Sequence, residues 1–196
     1  MKKIRLDDCI CKTPIVDHSR IKDKILSEID NTFGGVGDQQ DSYGKDSRIS
    51  KLDWDNAVDW SRPWFKIFYP HWVISVKEML SNMAYSGRYA LDKMWYQQYE
   101  KGSNHSWHIH SNHFTGVYYL EFPKGSAKTE ICSPYSLTVK KIDALEGDII
   151  IFPSHWIHRA PSNNSVRKTI VSFNFDTELS DPNINLIKGG KPYILF

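Results

Sequence analysis

The sequence predicts an α+β chain, mainly β, in which a β sandwich or jelly roll carries N-terminal helices packed on one face. Three observations predict it. Short runs rich in β-branched and aromatic residues succeed one another from residue 89 onward. Turn signals separate them, among them Pro123-Lys124-Gly125, Ser133-Pro134 and Glu146-Gly147-Asp148. Two segments ahead of Gly87 show helical periodicity instead. With 196 residues the chain suits a single domain: a helical N-terminal part with a loop over 1–88, a β core over 89–178 and a tail over 179–196.

Residues 17–33 read as an amphipathic helix, because Ile21, Ile25, Leu26 and Ile29 recur at helical spacing and Gly34-Gly35 ends the run. Residues 34–59 are rich in Gly, Asp and Ser without clean periodicity, and are expected to form a long loop that could fold over a site entrance as a lid. A second helix is expected over 70–84, with Pro70 in its first turn and Val73, Val76, Leu80 and Met83 on one face. Strands are expected over 90–100, 114–122, 128–132, 136–140, 148–152 and 169–175. The apolar tail Tyr193-Ile-Leu-Phe196 should dock on the domain's own core, with a homodimer contact as the alternative.

Composition narrows the function classes. A hydrophobic fraction of 40% and a charged fraction of 24% are ordinary for a globular chain, and a net charge of +2 gives no footing for nucleic acid or an anionic membrane. The cysteines Cys9, Cys11 and Cys132 are odd in number, so a disulfide framework is not expected, and the C-x-C pair reads as plain reduced thiols because a structural zinc wants four ligands. The N-terminal stretch has no apolar h-region, and no run approaches the roughly 18 apolar residues of a membrane span. A cytoplasmic protein is expected.

The informative stretch is Gly102 to His110. In an extended segment, alternation sends His108 and His110 to the same face, where two imidazoles can share a metal at about 2.1 Å. A third ligand must come from a neighbouring strand, and His158, just past the 148–152 strand and its turn, supplies it. Imidazole suits iron, zinc, copper and nickel alike. His105, His113 and His155 read as ordinary core or surface histidines. Arg167, at the start of a core strand, could point inward beside the metal, where a planar guanidinium would grip a carboxylate.

These residues resemble two related groups. Gly102, His108 and His110 fit the first cupin motif, and Gly147, Pro153 and His158 fit the second, with His155 where that motif has glycine and no carboxylate in 111–115. With Arg167, the pattern is similar to the Fe(II)/2-oxoglutarate-dependent oxygenases. Met94-Trp-Tyr-Gln-Gln-Tyr99, Trp107–Leu120, Gly147–His158 and Arg167–Asn174 resemble in particular a 2-oxoglutarate oxygenase family of marine bacteria and phages. The resemblance implies a double-stranded β-helix, Fe(II) on His108, His110 and His158, and 2-oxoglutarate as cosubstrate, its far carboxylate on Arg167 with help from Tyr118 or Tyr96. Thr169 and Ser172 are candidate pocket hydroxyls, and Asn104 and Asn174 could order the site. The implied reaction is a hydroxylation of a small-molecule or peptide substrate with O₂, with 2-oxoglutarate decarboxylated to succinate. The departure is His110, which stands where that superfamily has Asp or Glu; Glu121 or Asp148 is the other candidate for a carboxylate ligand. A three-histidine dioxygenase or isomerase without 2-oxoglutarate, and a non-catalytic binding module, are the competing functions.

Overall fold

The computed structural model describes residues 10–32, 35–37, 47–133, 137–164, 166–178 and 194–195. In chain order the elements are β1 (Cys11–Pro14), α1 (His18–Asn31), β2 (Gly35–Gly37), β3 (Ile49–Leu52), a 3-10 turn (Trp54–Asn56), α2 (Pro63–Asn82), β4 (Tyr89–Tyr99), β5 (His105–His108), β6 (Phe114–Glu121), β7 (Glu130–Cys132), β8 (Val139–Lys141), β9 (Asp148–Pro153), β10 (Ile157–Ala160), β11 (Lys168–Thr177) and β12 (Ile194–Leu195).

The strands form two antiparallel sheets. The large one runs β1-β9-β6-β11-β4-β3-β2 with β12 also on β4, and the small one runs β5-β10-β7-β8. A mainly β chain with two helices and antiparallel sheets among the described residues agrees with the jelly-roll expectation. Three layers result. One apolar cluster joins Ile21, Ile25 and Ile29 of α1 and Phe68, Trp72 and Val76 of α2 to Tyr118, Ile149, Val171 and Phe173 of the large sheet. The other joins Tyr99, Tyr119, Ile150 and Ile170 on the opposite face of that sheet to Ile131 and Ala160 of the small sheet. Strand alternation does the sorting: opposite β4, Val171 faces Tyr96 on the helix side, while Ile170 faces Gln97 and Ser172 faces Trp95 on the inner side.

The helix layer is aromatic. Phe68 stacks on Tyr118 at 4.5 Å and 7°, and Trp72 meets Phe173 and Phe175 edge-on. Gly116 makes room for this layer, since a Cβ there would clash with the edge of the Phe173 ring and with the Ile150 carbonyl oxygen. Asp53 pins the layer's edge. It accepts from Arg62 Nη1 at 2.6 Å, from Trp64 Nε1 at 3.0 Å and from the Tyr96 amide at 2.7 Å, so an otherwise costly buried carboxylate is fully engaged.

Two expectations need correction. The second helix begins at Pro63, not Pro70, and Pro70 lies inside it. Pro63 takes the first-turn position, and the burial of Trp64, Phe65, Phe68 and Trp72 outweighs the one backbone bond that an internal proline forfeits. The segment 34–59 is not one long loop: Gly35 pairs with Leu52, and Lys51 and Leu52 pair with Gln98 and Gln97. Residues 38–46, the middle of the expected lid, lie outside the described residues, as does Cys9. Cys132 is a free thiol. Backbone pairing of Ile194 and Leu195 with Leu91 and Ala90 docks the tail on its own sheet.

Candidate metal centre

Two small-sheet strands build the centre. His158 on β10 lies directly opposite His108 on β5, so the cross-strand register alone brings their rings together. His110 follows two residues after His108 and is drawn to the large sheet by its backbone, which donates to the Ser154 carbonyl at 3.0 Å. Ring centroids are 4.2 Å apart for His108 and His158, 5.0 Å for His108 and His110, and 5.1 Å for His110 and His158. The available ligand atoms of the three rings all lie within 4.8 Å of one another. The three rings form a group that could hold a metal ion.

Hydrogen bonding prepares the rings for a cation. Nδ1–H of His108 donates to the Ser106 carbonyl at 2.7 Å, and Nδ1–H of His158 donates to the Trp156 carbonyl at 2.9 Å. Each ring is thereby held as the tautomer whose Nε2 lone pair is bare, the arrangement that metal-binding imidazoles use. Asn174 Nδ2 lies 3.4 Å from His110 Nδ1, and its Oδ1 is buried without a partner. Turning that amide over gives His110 Nδ1–H an acceptor and frees its Nε2 in the same way. Burial, aided by the neighbouring rings of His158, His105 and His110, holds His108 well below the usual histidine range. Burial also lowers His158 to about 4. Both rings are neutral at pH 7, as a ligand requires.

The cavity beside the rings lies between the two sheets. Its large-sheet wall includes Trp95, Gln97, Tyr99, Val117, Ile170 and Ser172, and its small-sheet wall includes His105, Thr129 and Arg159. Ser172 Oγ donates to Gln97 Oε1 at 3.1 Å, and Gln97 Nε2 donates to His105 Nδ1 at 3.3 Å. His105 is therefore the opposite tautomer, protonated at Nε2. It stacks on His108 at 3.9 Å, outside the group of converging ligand atoms.

The other sequence candidates are not brought here. Arg167 points to the helix side, where it holds Glu121 at 2.8 Å and Asp30 at 3.0 Å. Thr169 donates to the same Glu121 at 2.8 Å. Tyr96 packs on Trp64, and the Tyr118 hydroxyl meets His18 Nδ1 at 2.7 Å, both behind the large sheet. Asn104 bridges Arg48 through its backbone and does not line the cavity. Glu121 is engaged as above, and Asp148 accepts from the Leu145 amide and faces Lys12, so neither carboxylate reaches the rings.

The group that sequence reasoning missed is Lys168. It shares the inward face with Ile170 and Ser172, sits opposite Tyr99, and is 1% exposed. Its Nζ lies 4.4 Å from the Tyr99 ring centroid and donates to the Ala127 carbonyl at 3.0 Å. Burial lowers it to about 8. Asn163 sets its position by tying the incoming turn to the Tyr99 and Val166 carbonyls at 2.9 and 2.7 Å. A signal was present: Ser172 and Asn174 share the phase of Lys168, while Val171, Phe173 and Phe175 share that of Arg167.

No protein-family model matches this sequence, and no curated protein matches it. Solved structures do share its fold. A 2OG-Fe(II) oxygenase family oxidoreductase from Burkholderia pseudomallei aligns with TM-score 0.63 and 11% identity, over 85% of this chain and 84% of that one. A viral collagen prolyl hydroxylase from Paramecium Bursaria Chlorella virus-1, in its 2OG complex, aligns with TM-score 0.57 and 15% identity, over 87% and 96%. The non-heme alpha-ketoglutarate-dependent epimerase SnoN from nogalamycin biosynthesis aligns with TM-score 0.64 and 10% identity, over 94% and 87%. Among the described residues, no helix is long and apolar enough to cross a membrane.

Proposed function

We propose that the chain is an Fe(II)/2-oxoglutarate-dependent oxygenase of the hydroxylase type, built on a closed double-stranded β-helix. The observation that carries the reading is the convergence of His108, His110 and His158 in a cavity lined by Tyr99, over whose ring the buried Lys168 ammonium sits. The fold shared with 2-oxoglutarate oxygenases supports it. The three neutral imidazoles would hold Fe(II) on one side, leaving positions for cosubstrate and O₂. When bound, iron and 2-oxoglutarate supply oxidation of the substrate by O₂, with decarboxylation of the cosubstrate to succinate.

The chain's own groups bind and orient. Lys168, in place of Arg167, offers the cation for the far carboxylate of 2-oxoglutarate; its ammonium has a carbonyl and a ring for company and gains most from an anion. The Ser106 and Trp156 carbonyls and Asn174 keep the ligand rings turned. Val117, Ile170 and Tyr99 exclude water from the inner wall. Tyr118, Tyr96 and Thr169 brace the helix layer instead of touching the cosubstrate. A small-molecule or peptide substrate, and a cytoplasmic location, remain part of this reading.

The test is anaerobic addition of Fe(II) and 2-oxoglutarate, read by the weak visible charge-transfer band of the chelate. His158→Ala and Lys168→Ala each remove the band or weaken cosubstrate binding, and Arg167→Ala does neither. An unchanged band in Lys168→Ala defeats the proposal. His110 itself favours a second reading, a three-histidine dioxygenase or isomerase that binds metal but has no affinity for 2-oxoglutarate.

A further inference from the structure

The cavity is one-sided in charge. No carboxylate lines it among the described residues, although it carries four histidines and Arg159. The acids nearby are committed elsewhere. Glu130 pairs with Arg159 at 2.7 Å, and Glu121 pairs with Arg167 at 2.8 Å. Asp148 faces Lys12, and Asp176 accepts from Asn112 and from the His113 amide. Lys168, whose Nζ sits over the ring of the lining residue Tyr99, has no carboxylate partner among the described residues.

Charge can be counted on these residues. A divalent ion on three neutral imidazoles keeps its two positive charges, and the Lys168 ammonium adds a third, while Arg159 is offset by Glu130. The 2-oxoglutarate dianion cancels two. One positive charge is left in a space walled by Tyr99, Val117 and Ile170, where an unpaired charge is costly. A site with a carboxylate in place of His110 would be neutral with the same contents. We infer that the centre takes one further monoanion beside 2-oxoglutarate, brought either as a carboxylate of the prime substrate or as a free inorganic anion. This rests on the 2-oxoglutarate reading and goes past it to the charge class of the third component.

Cobalt(II) tests this without turnover. The full-length protein is loaded with Co(II) and saturating 2-oxoglutarate, and azide, chloride or acetate is titrated at constant ionic strength while the visible bands of Co(II) are followed. The expected result is saturable binding that His110→Asp weakens on the order of tenfold or more. Tighter binding of acetate than of azide and chloride assigns the substrate-carboxylate source, and the reverse order the inorganic one. Ser172→Asp, which places a carboxylate on the cavity wall, should weaken binding likewise while Ser172→Asn does not; this pair keeps the test alive if His110→Asp fails to fold. Equal affinities across wild type and both carboxylate variants, or equal weakening by Ser172→Asn, overturn the inference. Calorimetry of 2-oxoglutarate alone separates the two claims. Cosubstrate binding with no anion binding sinks only the inference, whereas absence of cosubstrate binding sinks the cosubstrate reading and the inference with it.

Discussion

Replacing Lys168 with methionine should stabilise the fold and take away its cosubstrate. The side chain is 1% exposed, and its ammonium has one carbonyl acceptor at 3.0 Å and one ring at 4.4 Å. Burial lowers it from the ordinary 10.5 to about 8. The unfolded chain then holds a proton that the folded chain gives up between those values. Stability therefore rises with pH across that window, and the full cost is present below about 8. At about 1.4 kcal/mol per pH unit, the fold carries a penalty on the order of 3 kcal/mol at neutral pH. Methionine removes that penalty but forfeits a hydrogen bond of about 1 kcal/mol and a cation–π contact of about 0.5–1 kcal/mol. The net expectation is a metal-free protein about 1–2 kcal/mol more stable at pH 7. Urea unfolding at pH 7 and again well above 10.5 reads it: the gain should shrink at the higher pH, where wild-type lysine is neutral in both states. Cosubstrate affinity, measured by calorimetry on the metal-loaded protein, should collapse in the same variant. A methionine variant less stable than wild type at pH 7, or one that binds 2-oxoglutarate unchanged, refutes the reasoning.

Other expectations follow from the same geometry. The metal-free protein should lose stability as the pH falls from 6.5 toward 4, on the order of 3 kcal/mol from His158 alone, because its unfolded state takes up the proton that burial denies the folded one; urea midpoints against pH read this, and His158→Ala should flatten the slope. Arg167→Ala should leave 2-oxoglutarate affinity unchanged and cost about 1 kcal/mol or less of stability, since its pairs with Glu121 and Asp30 are part-exposed; a collapse in cosubstrate binding would return the anion-gripping role to that residue. Gly116→Ala should destabilise by about 1–3 kcal/mol in chemical denaturation, because the added methyl meets the Phe173 ring and the Ile150 carbonyl.

Much of the molecule was legible because two periodicities write themselves into sequence. The apolar spacing of Ile21, Ile25, Leu26 and Ile29 marked α1 to within a residue or two of His18–Asn31, and the β-branched runs located β4, β6, β9 and β11. The histidines could be paired across strands because alternation puts His108 and His110 in phase, while the register with His158 is a tertiary fact. Other features were hidden for physical reasons. Either of two prolines can open a helix, and only the burial of Trp64 and Phe65 selects Pro63. Arg167 and Lys168 are adjacent cations, and strand phase decides which one faces inward. Gln97 and His105 look like ordinary polar strand residues until β11 brings Ser172 against Gln97.

The layering makes the two sheets unequal in stiffness. The large sheet is backed by interlocked rings, Phe68 on Tyr118 and Trp72 against Phe173, whereas β8 at the rim of the small sheet has only exposed residues. A molecule that needed more room than the cavity offers would displace the small sheet more readily than the large one. His108 and His158 ride on that sheet, while His110 is moored to the large one through Ser154 and Asn174. An ion held by all three would clasp the small sheet to the large one.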